Sequence, residues 1–342
     1  MPTMRAAVCP KPGQITIEDV EKPTPGPGEA LIEVEASGIC GSDVRGFLGT
    51  HPEIDKYPVI LGHEFAGVVA EVGEGVTECA PGDRVIIEPL FVCGKCPGCL
   101  AGDYHLCQVL TLNGHREPGS FAEYAIVPAR FVHAMPDSLS FEQAALAEPL
   151  AVCVHAVKRL RPRVGDLAVV LGAGPIGLLT VQVLKVAGCR LIVSDVEPFK
   201  LELARSFGAE HVVNARETNV VNFVRGLTAD WGADVAVECA GAKETLAESV
   251  EVIHKGGTAL LLGFTGSPRD EINLTNITIT EKTVIGSVIY CRDFPATIHL
   301  MASGQVQLDP LITHRFPLED TFVALQTAAE KRDRILKGMI VP

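Results

Sequence analysis

The segment LAVVLGAGPIGLLTVQVLKVAG, residues 167–188, decides the fold of this chain. Its first five residues are apolar and predict a buried strand, and the apolar spacing after Pro175 predicts a helix. Gly172, Gly174 and Gly177 between them permit a tight turn, close backbone approach to a pyrophosphate, and close packing of the helix on the strand. The N-terminus of the helix then faces the negative charge. This arrangement predicts a dinucleotide-binding unit.

A carboxylate at the end of the next predicted strand supports this interpretation. Asp195 stands where it can accept hydrogen bonds from the adenosine ribose, and it would repel the 2′-phosphate of NADP. No arginine follows it directly, so NAD is favoured. Lys200 is a candidate adenine contact, and a solvated helix lysine is the alternative. The remaining cofactor contacts are assigned to Ile176, Leu262, Gly263, Phe264, Ser287, Val288 and Ile289.

The chain on either side of this unit has a different pattern. Over residues 164–287 strand-like and helical segments alternate, and the strands are near-continuous apolar runs, which predicts a doubly wound parallel sheet. We therefore predict an α/β fold with a Rossmann NAD-binding domain at residues 156–294. Residues 1–155 contain short strands broken by turns, and residues 295–342 are expected to complete that β-rich domain. A final helix is expected to end near Gly338.

Composition and charge restrict the function. The 342 residues are 47% hydrophobic and 21% charged, as in ordinary globular proteins. A formal net charge of −13 argues against a nucleic-acid partner. No apolar run reaches the roughly 18–20 residues of a membrane span, and the start MPTMRAAVCPKPG lacks the apolar core of a signal peptide. We therefore expect a cytoplasmic protein without a membrane partner.

Four of the eleven cysteines are clustered in CGKCPGCLAGDYHLC. Thiolates at this spacing can close a tetrahedron around Zn²⁺ and leave no open position, which is typical of a structural site. A disulfide arrangement is a poor fit to a cytoplasmic protein, and iron–sulfur ligation is a less favoured alternative. The predicted structural zinc ligands are Cys93, Cys96, Cys99 and Cys107.

A second set of potential ligands is dispersed along the chain. Cys40 lies in GICGSD, His63 and Glu64 lie in ILGHEFAG, and Glu148 lies in LAEPLAV. Taken singly, each has an ordinary structural explanation: a small buried cysteine, a core histidine, a surface carboxylate and a carboxylate at a helix N-terminus. Only as a set do they indicate a second metal site.

In order and spacing, these pieces resemble the zinc-containing medium-chain dehydrogenase/reductase family. The quoted motifs are GHEFAGVVAEVGEGV, the cysteine cluster, EPLAVCVHAV, GAGPIG and PLITHRFPLED, and together they extend over essentially the whole chain. The resemblance implies a GroES-like catalytic domain beside the Rossmann domain. It is greatest to the polyol branch of sorbitol, butanediol and threonine dehydrogenases. In that branch a glutamate, matched by Glu148, replaces the third cysteine ligand of other alcohol dehydrogenases.

The resemblance implies one catalytic and one structural Zn²⁺, with an NAD-linked oxidation of a secondary alcohol to a ketone. Cys40 and His63 would hold the catalytic ion, whose open position would bind the substrate oxygen. Either Glu64 or Glu148 would be the further ligand, and the other would act through water or exchange with it. Ser42 would take the alcohol proton. Asp43 is expected to orient a neighbouring group, not to react.

Two positions depart from the family pattern. Many relatives have a histidine five residues after the ligand cysteine, where this chain has Arg45; the nearby His51 is interpreted as a loop histidine. Sorbitol-type relatives carry Phe-Arg-Tyr where this chain has Val-Ile-Tyr at residues 288–290. Loss of that arginine weakens the case for an unmodified linear polyol and leaves vicinal diols and sugar acids open.

Several functions remain open at this level. The substrate is expected to be a polyol, a sugar derivative or a vicinal diol, and an L-threonine 3-dehydrogenase activity is the alternative. A non-catalytic quinone-reductase-like relative that has lost the reactive zinc is the rival of a different class. The family also implies a homo-oligomer, with a tetramer favoured, and the strand TVIGSVI is a candidate edge contact.

Overall fold

The computed structural model describes residues 2–342, which form two compact units. Of the described residues, the first unit comprises 2–148, 294–302 and 308–342, and the second comprises 149–293 and 303–307. The boundary therefore falls inside the helix Ala147–Leu160. Within residues 2–342 we find no helix with the length and apolar character that a membrane crossing requires.

The second unit is built on a six-stranded parallel sheet. Its strands in sheet order are His211–Asn214, Arg190–Asp195, Leu167–Leu171, Ala233–Glu238, Ile253–Leu261 and Thr283–Gly286. The helices that alternate with them along the chain are Pro175–Val186, Pro198–Ser206, Val220–Leu227, Lys243–Glu251 and Leu274–Ile279. The central strand Leu167–Leu171 is buried along its whole length, which agrees with its uninterrupted apolar sequence. The predicted Rossmann sheet is confirmed.

Two glycines explain why the first strand turns so sharply into its helix. Gly172 has φ +99°, and a Cβ there would lie 2.8 Å from the backbone nitrogen of Ala240. A Cβ on Gly177 would overlap the carbonyl oxygen of Gly172. A side chain on Gly172 would therefore collide with the loop that follows the strand Ala233–Glu238, and one on Gly177 would push the helix away from the turn.

The first unit is dominated by short strands. Seven of them form one sheet in which Val132–Ala134, Arg84–Ile87, Glu64–Val72, Glu29–Gly38, Lys337–Val341 and Ile312–Pro317 follow one another and Tyr124–Pro128 also pairs with Glu29–Gly38. Smaller sheets contain Thr16–Glu21, Thr3–Cys9 and Val59–Ile60, and Leu90–Phe91 with Thr111–Leu112. The helices are Gly41–Phe47, Pro97–Ala101, Phe141–Ala145, Phe294–Ala302 and Thr321–Glu330. This is the GroES-like sheet domain that the family resemblance implied.

The end of the chain differs from the sequence-based expectation. The last α-helix ends at Glu330, where Lys331 adopts a left-handed conformation with φ +52°, and only the short 3-10 turn Arg332–Arg334 follows. Lys337–Val341 is a strand that pairs antiparallel with Glu29–Gly38. The expected helix ending near Gly338 is therefore wrong, because a sheet partner remote in sequence overrides the local pattern.

Candidate active site and metal centres

The four clustered cysteines converge in the first unit. Their sulfur atoms all lie within 4.8 Å of one another, with 3.6 Å between Cys107 and Cys93 and 4.0 Å between Cys93 and Cys99. Sulfurs bound at about 2.3 Å around a tetrahedral Zn²⁺ would be about 3.8 Å apart, so the set fits this ion. No disulfide links them. Backbone hydrogen bonds from Cys99 and Gln108 lower the pKa of the Cys96 thiol to about 6, whereas burial and the neighbouring thiols raise the pKa of Cys99.

Three of the four dispersed residues also meet in the first unit. The ligand atoms of Cys40, His63 and Glu64 lie within 4.8 Å of one another. Cys40 directly precedes the helix Gly41–Phe47, and Glu64 begins the strand Glu64–Val72. His63 and Glu64 are buried. A sulfur, an imidazole and a carboxylate are a donor set that suits Zn²⁺.

Asp43 holds two of these residues in place. One carboxylate oxygen, Oδ2, accepts the backbone N–H of Cys40 at 2.8 Å, and Oδ1 lies 3.3 Å from Nδ1 of His63. Oδ1 also accepts the backbone N–H of Gly62 at 3.1 Å. Burial alone would raise the pKa of Asp43, but His63 and these N–H groups lower it below its usual value.

The orientation of His63 follows from this contact. Nδ1 faces Asp43, so Nε2 is the nitrogen left for a metal, as in carboxylate–histidine–zinc arrangements. Nε2 lies 3.4 Å from the hydroxyl oxygen of Ser42. Burial alone would lower the pKa of His63, but Asp43 and Cys40 raise it well above its usual value.

Glu64 has a buried cationic partner that the sequence analysis missed. Nζ of Lys337 donates to both carboxylate oxygens of Glu64, at 2.8 and 2.6 Å, and to the carbonyl of Ile39 at 3.1 Å. Burial alone would lower the pKa of Lys337, but Glu64 and Cys40 raise it. The strand Glu29–Gly38 lies between the strand of Glu64 and the strand of Lys337. A Cβ on Gly38 would overlap the side chain of Glu64. The one available signal was a single lysine at the head of the otherwise apolar run GMIV.

Glu148 lies outside the group formed by Cys40, His63 and Glu64. It is buried in the first turn of the helix Ala147–Leu160. Its carboxylate is close enough to Lys337 to contribute to the raised pKa of that lysine. Lys337 therefore forms hydrogen bonds with Glu64 and only a longer-range charge interaction with Glu148.

A second histidine, His115, lies beside His63, and a third, His51, lies beside His115. The ring centroid of His115 is 5.6 Å from that of His63 and 4.8 Å from that of His51. Burial and the charge of Arg45 lower the pKa of His51 to about 4, and burial and His63 lower that of His115 to about 3. Both rings are therefore neutral near pH 7. His115 was not anticipated, because only a histidine in an NGH turn marks it in the sequence.

The candidate cofactor residues lie at the carboxyl ends of the parallel strands of the second unit. Asp195 accepts the backbone N–H of Ala173 at 2.7 Å through Oδ2 and that of Glu197 at 2.9 Å through Oδ1. Gly172 and Gly174 precede the helix that begins at Pro175. The other assigned positions at the strand ends are Leu262, Gly263 and Phe264 after Ile253–Leu261, and Ser287, Val288 and Ile289 after Thr283–Gly286. Lys200 lies in the helix Pro198–Ser206, with Nζ 5.9 Å from the ring of Phe199.

Known proteins resemble this chain over its full length. An alcohol dehydrogenase GroES-like domain model matches residues 26–137, and a zinc-binding dehydrogenase model matches residues 175–303. The chain is 37% identical over 345 residues to the sorbitol dehydrogenase of Bacillus subtilis (strain 168), covering 99% of this chain and 97% of that protein. This chain belongs to the zinc-containing medium-chain dehydrogenase/reductase family. It is therefore an oxidoreductase of the zinc-type alcohol dehydrogenase class.

Other members of the family show the range of this similarity. The (R,R)-butanediol dehydrogenase of Neisseria gonorrhoeae (strain ATCC 700825 / FA 1090) is 36% identical over 329 residues, 92% of this chain and 93% of that protein. A zinc-binding dehydrogenase from Sinorhizobium meliloti 1021, solved with NADP bound, superposes with a TM-score of 0.95 at 35% identity, and the match covers 100% of both chains. The predicted family, fold and enzyme class are confirmed.

Proposed function

We propose that this enzyme oxidises a secondary alcohol of a polyol, sugar derivative or vicinal diol to a ketone, with NAD as the hydride acceptor. The observation that carries the proposal is the group of Cys40, His63 and Glu64, oriented by Asp43. Sorbitol and butanediol dehydrogenases among the similar proteins support the substrate class.

The donor sets fit two zinc ions with different roles. Cys93, Cys96, Cys99 and Cys107 would hold a structural ion, because four thiolates leave no open position. Cys40, His63 and one glutamate would hold the catalytic ion, which supplies a Lewis acid for the alcohol oxygen. We assign Glu64 as the nearer ligand and Glu148 as the residue that exchanges with it, because Glu148 lies outside the group.

A residue beside this group can accept the proton that the substrate alcohol loses. Ser42, 3.4 Å from His63, would accept the alcohol proton. Asp43 positions His63 and Cys40 and accepts no proton itself, because its lowered pKa keeps it ionised. In the second unit, Gly172, Gly174, Ile176 and Gly177 would hold the pyrophosphate.

Asp195 supports NAD over NADP. Two backbone N–H groups fix its carboxylate at the end of the strand Arg190–Asp195. A fixed negative charge there disfavours a 2′-phosphate. The S. meliloti relative was solved with NADP, so the cofactor must be measured for this chain.

The test is a panel of sorbitol, xylitol, 2,3-butanediol, sugar acids and L-threonine, each with NAD and with NADP, together with zinc analysis. We expect two zinc ions per chain and reduced NAD with a polyol or diol. Oxidation of L-threonine alone would reassign the substrate. One zinc per chain and no reduced cofactor with any alcohol would favour the non-catalytic relative.

A further inference from the structure

His115 lies in a tightly held loop beside the histidine of the proposed zinc site. The loop, residues 113–119, packs on the segment that leads into His63. Gly114 has φ +79°, and a Cβ there would lie 2.7 Å from the backbone nitrogen of Gly62. Nδ2 of Asn113, which is fully buried, donates to the carbonyls of Pro118 and Ile126 at 2.9 and 3.0 Å. The loop therefore fixes where the imidazole lies.

The His115 ring is itself a polar group without a satisfied hydrogen bond. It is 8% exposed and lies between the rings of His51 and His63. Among residues 2–342, neither ring nitrogen has a hydrogen-bond partner of good geometry. A buried polar atom in this state is unfavourable unless a ligand or water satisfies it.

The nearest charge suggests which nitrogen carries the proton. Oε2 of Glu53 lies 3.5 Å from Nδ1 of His115. A carboxylate beside Nδ1 favours the proton there, so Nε2 is left as an acceptor. A hydroxyl can donate to this lone pair, whereas an ionised carboxylate cannot.

We infer that His115 positions the substrate by accepting, through Nε2, a hydrogen bond from the hydroxyl next to the alcohol that is oxidised. This inference rests on the proposed function, in which the reacting alcohol is held at Cys40, His63 and Glu64.

The experiment compares 2,3-butanediol with 2-butanol, which lacks the neighbouring hydroxyl. Zinc-loaded wild type, His115→Ala, His115→Gln and the control His314→Gln are assayed for KM and kcat. The dissociation constant of each alcohol for the enzyme with reduced cofactor is measured by calorimetry. The control changes a histidine of the same unit that contacts only Thr313 and Phe316 among the interactions described.

We expect His115→Ala to raise both the KM and the dissociation constant of the diol about tenfold, the effect of one lost hydrogen bond. kcat should change less than about twofold, the values for 2-butanol should not change, and His115→Gln should restore part of the loss. An equal loss for both alcohols would show a structural role and overturn the inference, as would unchanged diol binding. If the wild type binds the diol but oxidises no alcohol, the proposed function fails while the binding comparison still decides the role of His115.

Discussion

Asp43 and Glu64 are two buried carboxylates at the proposed zinc site, and different groups compensate their negative charges. Asp43 faces His63 and two backbone N–H groups, whereas both oxygens of Glu64 accept from Lys337. Lys337 is 3% exposed and Glu64 is 1% exposed, so neither charge is compensated by solvent. A buried pair of this kind is costly to break from one side.

Replacing Lys337 with methionine should therefore destabilise the protein. Lys337→Met leaves the Glu64 carboxylate buried without its partner and should lower the free energy of unfolding by about 3–5 kcal/mol. Urea denaturation of the zinc-depleted protein measures this, and Glu64→Gln in the same chain should recover part of the loss. Lys22→Met, which removes a more exposed pair with Glu71 and a cation–π contact with Tyr124, is the control and should cost no more than about 1 kcal/mol. A similar cost for both variants would contradict the role given to burial.

Asp195 permits a second test on a single residue. Asp195→Asn keeps the shape of the side chain and removes its charge. Because the charge disfavours the 2′-phosphate, the ratio of kcat/KM with NADP to kcat/KM with NAD should rise about tenfold or more. Glu197→Gln, at the neighbouring carboxylate that pairs with Arg216, should leave the ratio nearly unchanged. An unchanged ratio in Asp195→Asn would mean that another feature selects the cofactor.

The cysteine lobe, residues 93–107, contains little regular secondary structure. It contains the helix Pro97–Ala101 and the single turn Tyr104–Leu106. A five-residue helix is not stable alone in water, so a bound ion would supply much of the order of this lobe.

Loss of one thiol should therefore abolish zinc binding in the cysteine lobe and make the lobe less ordered. Cys99→Ser is expected to lower the zinc content by one ion per chain and to make residues 93–107 the preferred site of limited proteolysis. Mass spectrometry of the fragments locates the cut. Cys189→Ser replaces a cysteine of the second unit outside both ligand groups and should change neither result. Retention of both zinc ions in Cys99→Ser would exclude the assigned ligand set.

In the strand–turn–helix unit at residues 167–186, two glycine substitutions should distinguish effects on stability from effects on cofactor binding. Gly177→Ala introduces a Cβ that overlaps the carbonyl of Gly172, whereas a Cβ at Gly174 meets no atom within 4 Å. We expect Gly177→Ala to lower both the thermal midpoint and dinucleotide affinity. Gly174→Ala should keep the midpoint within about 1–2 °C and weaken the dinucleotide about tenfold, because the added methyl group obstructs the pyrophosphate. Thermal melts and fluorescence titration with NADH measure the two effects, and equal stability loss in both variants would refute the distinction.

At the scale of the whole molecule, one edge of the Rossmann sheet is open to pairing. Thr283–Gly286 is its terminal strand and pairs only with Ile253–Leu261 among the described strands. We propose that this edge joins copies of the chain in a homo-oligomer, with a tetramer favoured.

A charge on this strand should therefore weaken assembly. Ile285→Lys is expected to shift the mass measured by light scattering from that of a tetramer towards a smaller species. The control is Ile17→Lys, because Ile17 is 37% exposed on a different sheet. A wild-type monomer, or equal dissociation by both variants, would rule out this edge as the interface.

The sequence by itself determined the features whose evidence is local. The glycine turn, the alternation of apolar strands with helices and the four cysteines each act within a few residues of chain, so their spacing is sufficient. What only the tertiary structure decided depends on strands that pair across most of the chain. The strand Glu29–Gly38 pairs on one side with Glu64–Val72 and on the other with Lys337–Val341, and this pairing brings together two charges that are 273 residues apart. His115 reaches His63 because its loop packs on Gly62, a contact that no periodicity in the sequence encodes.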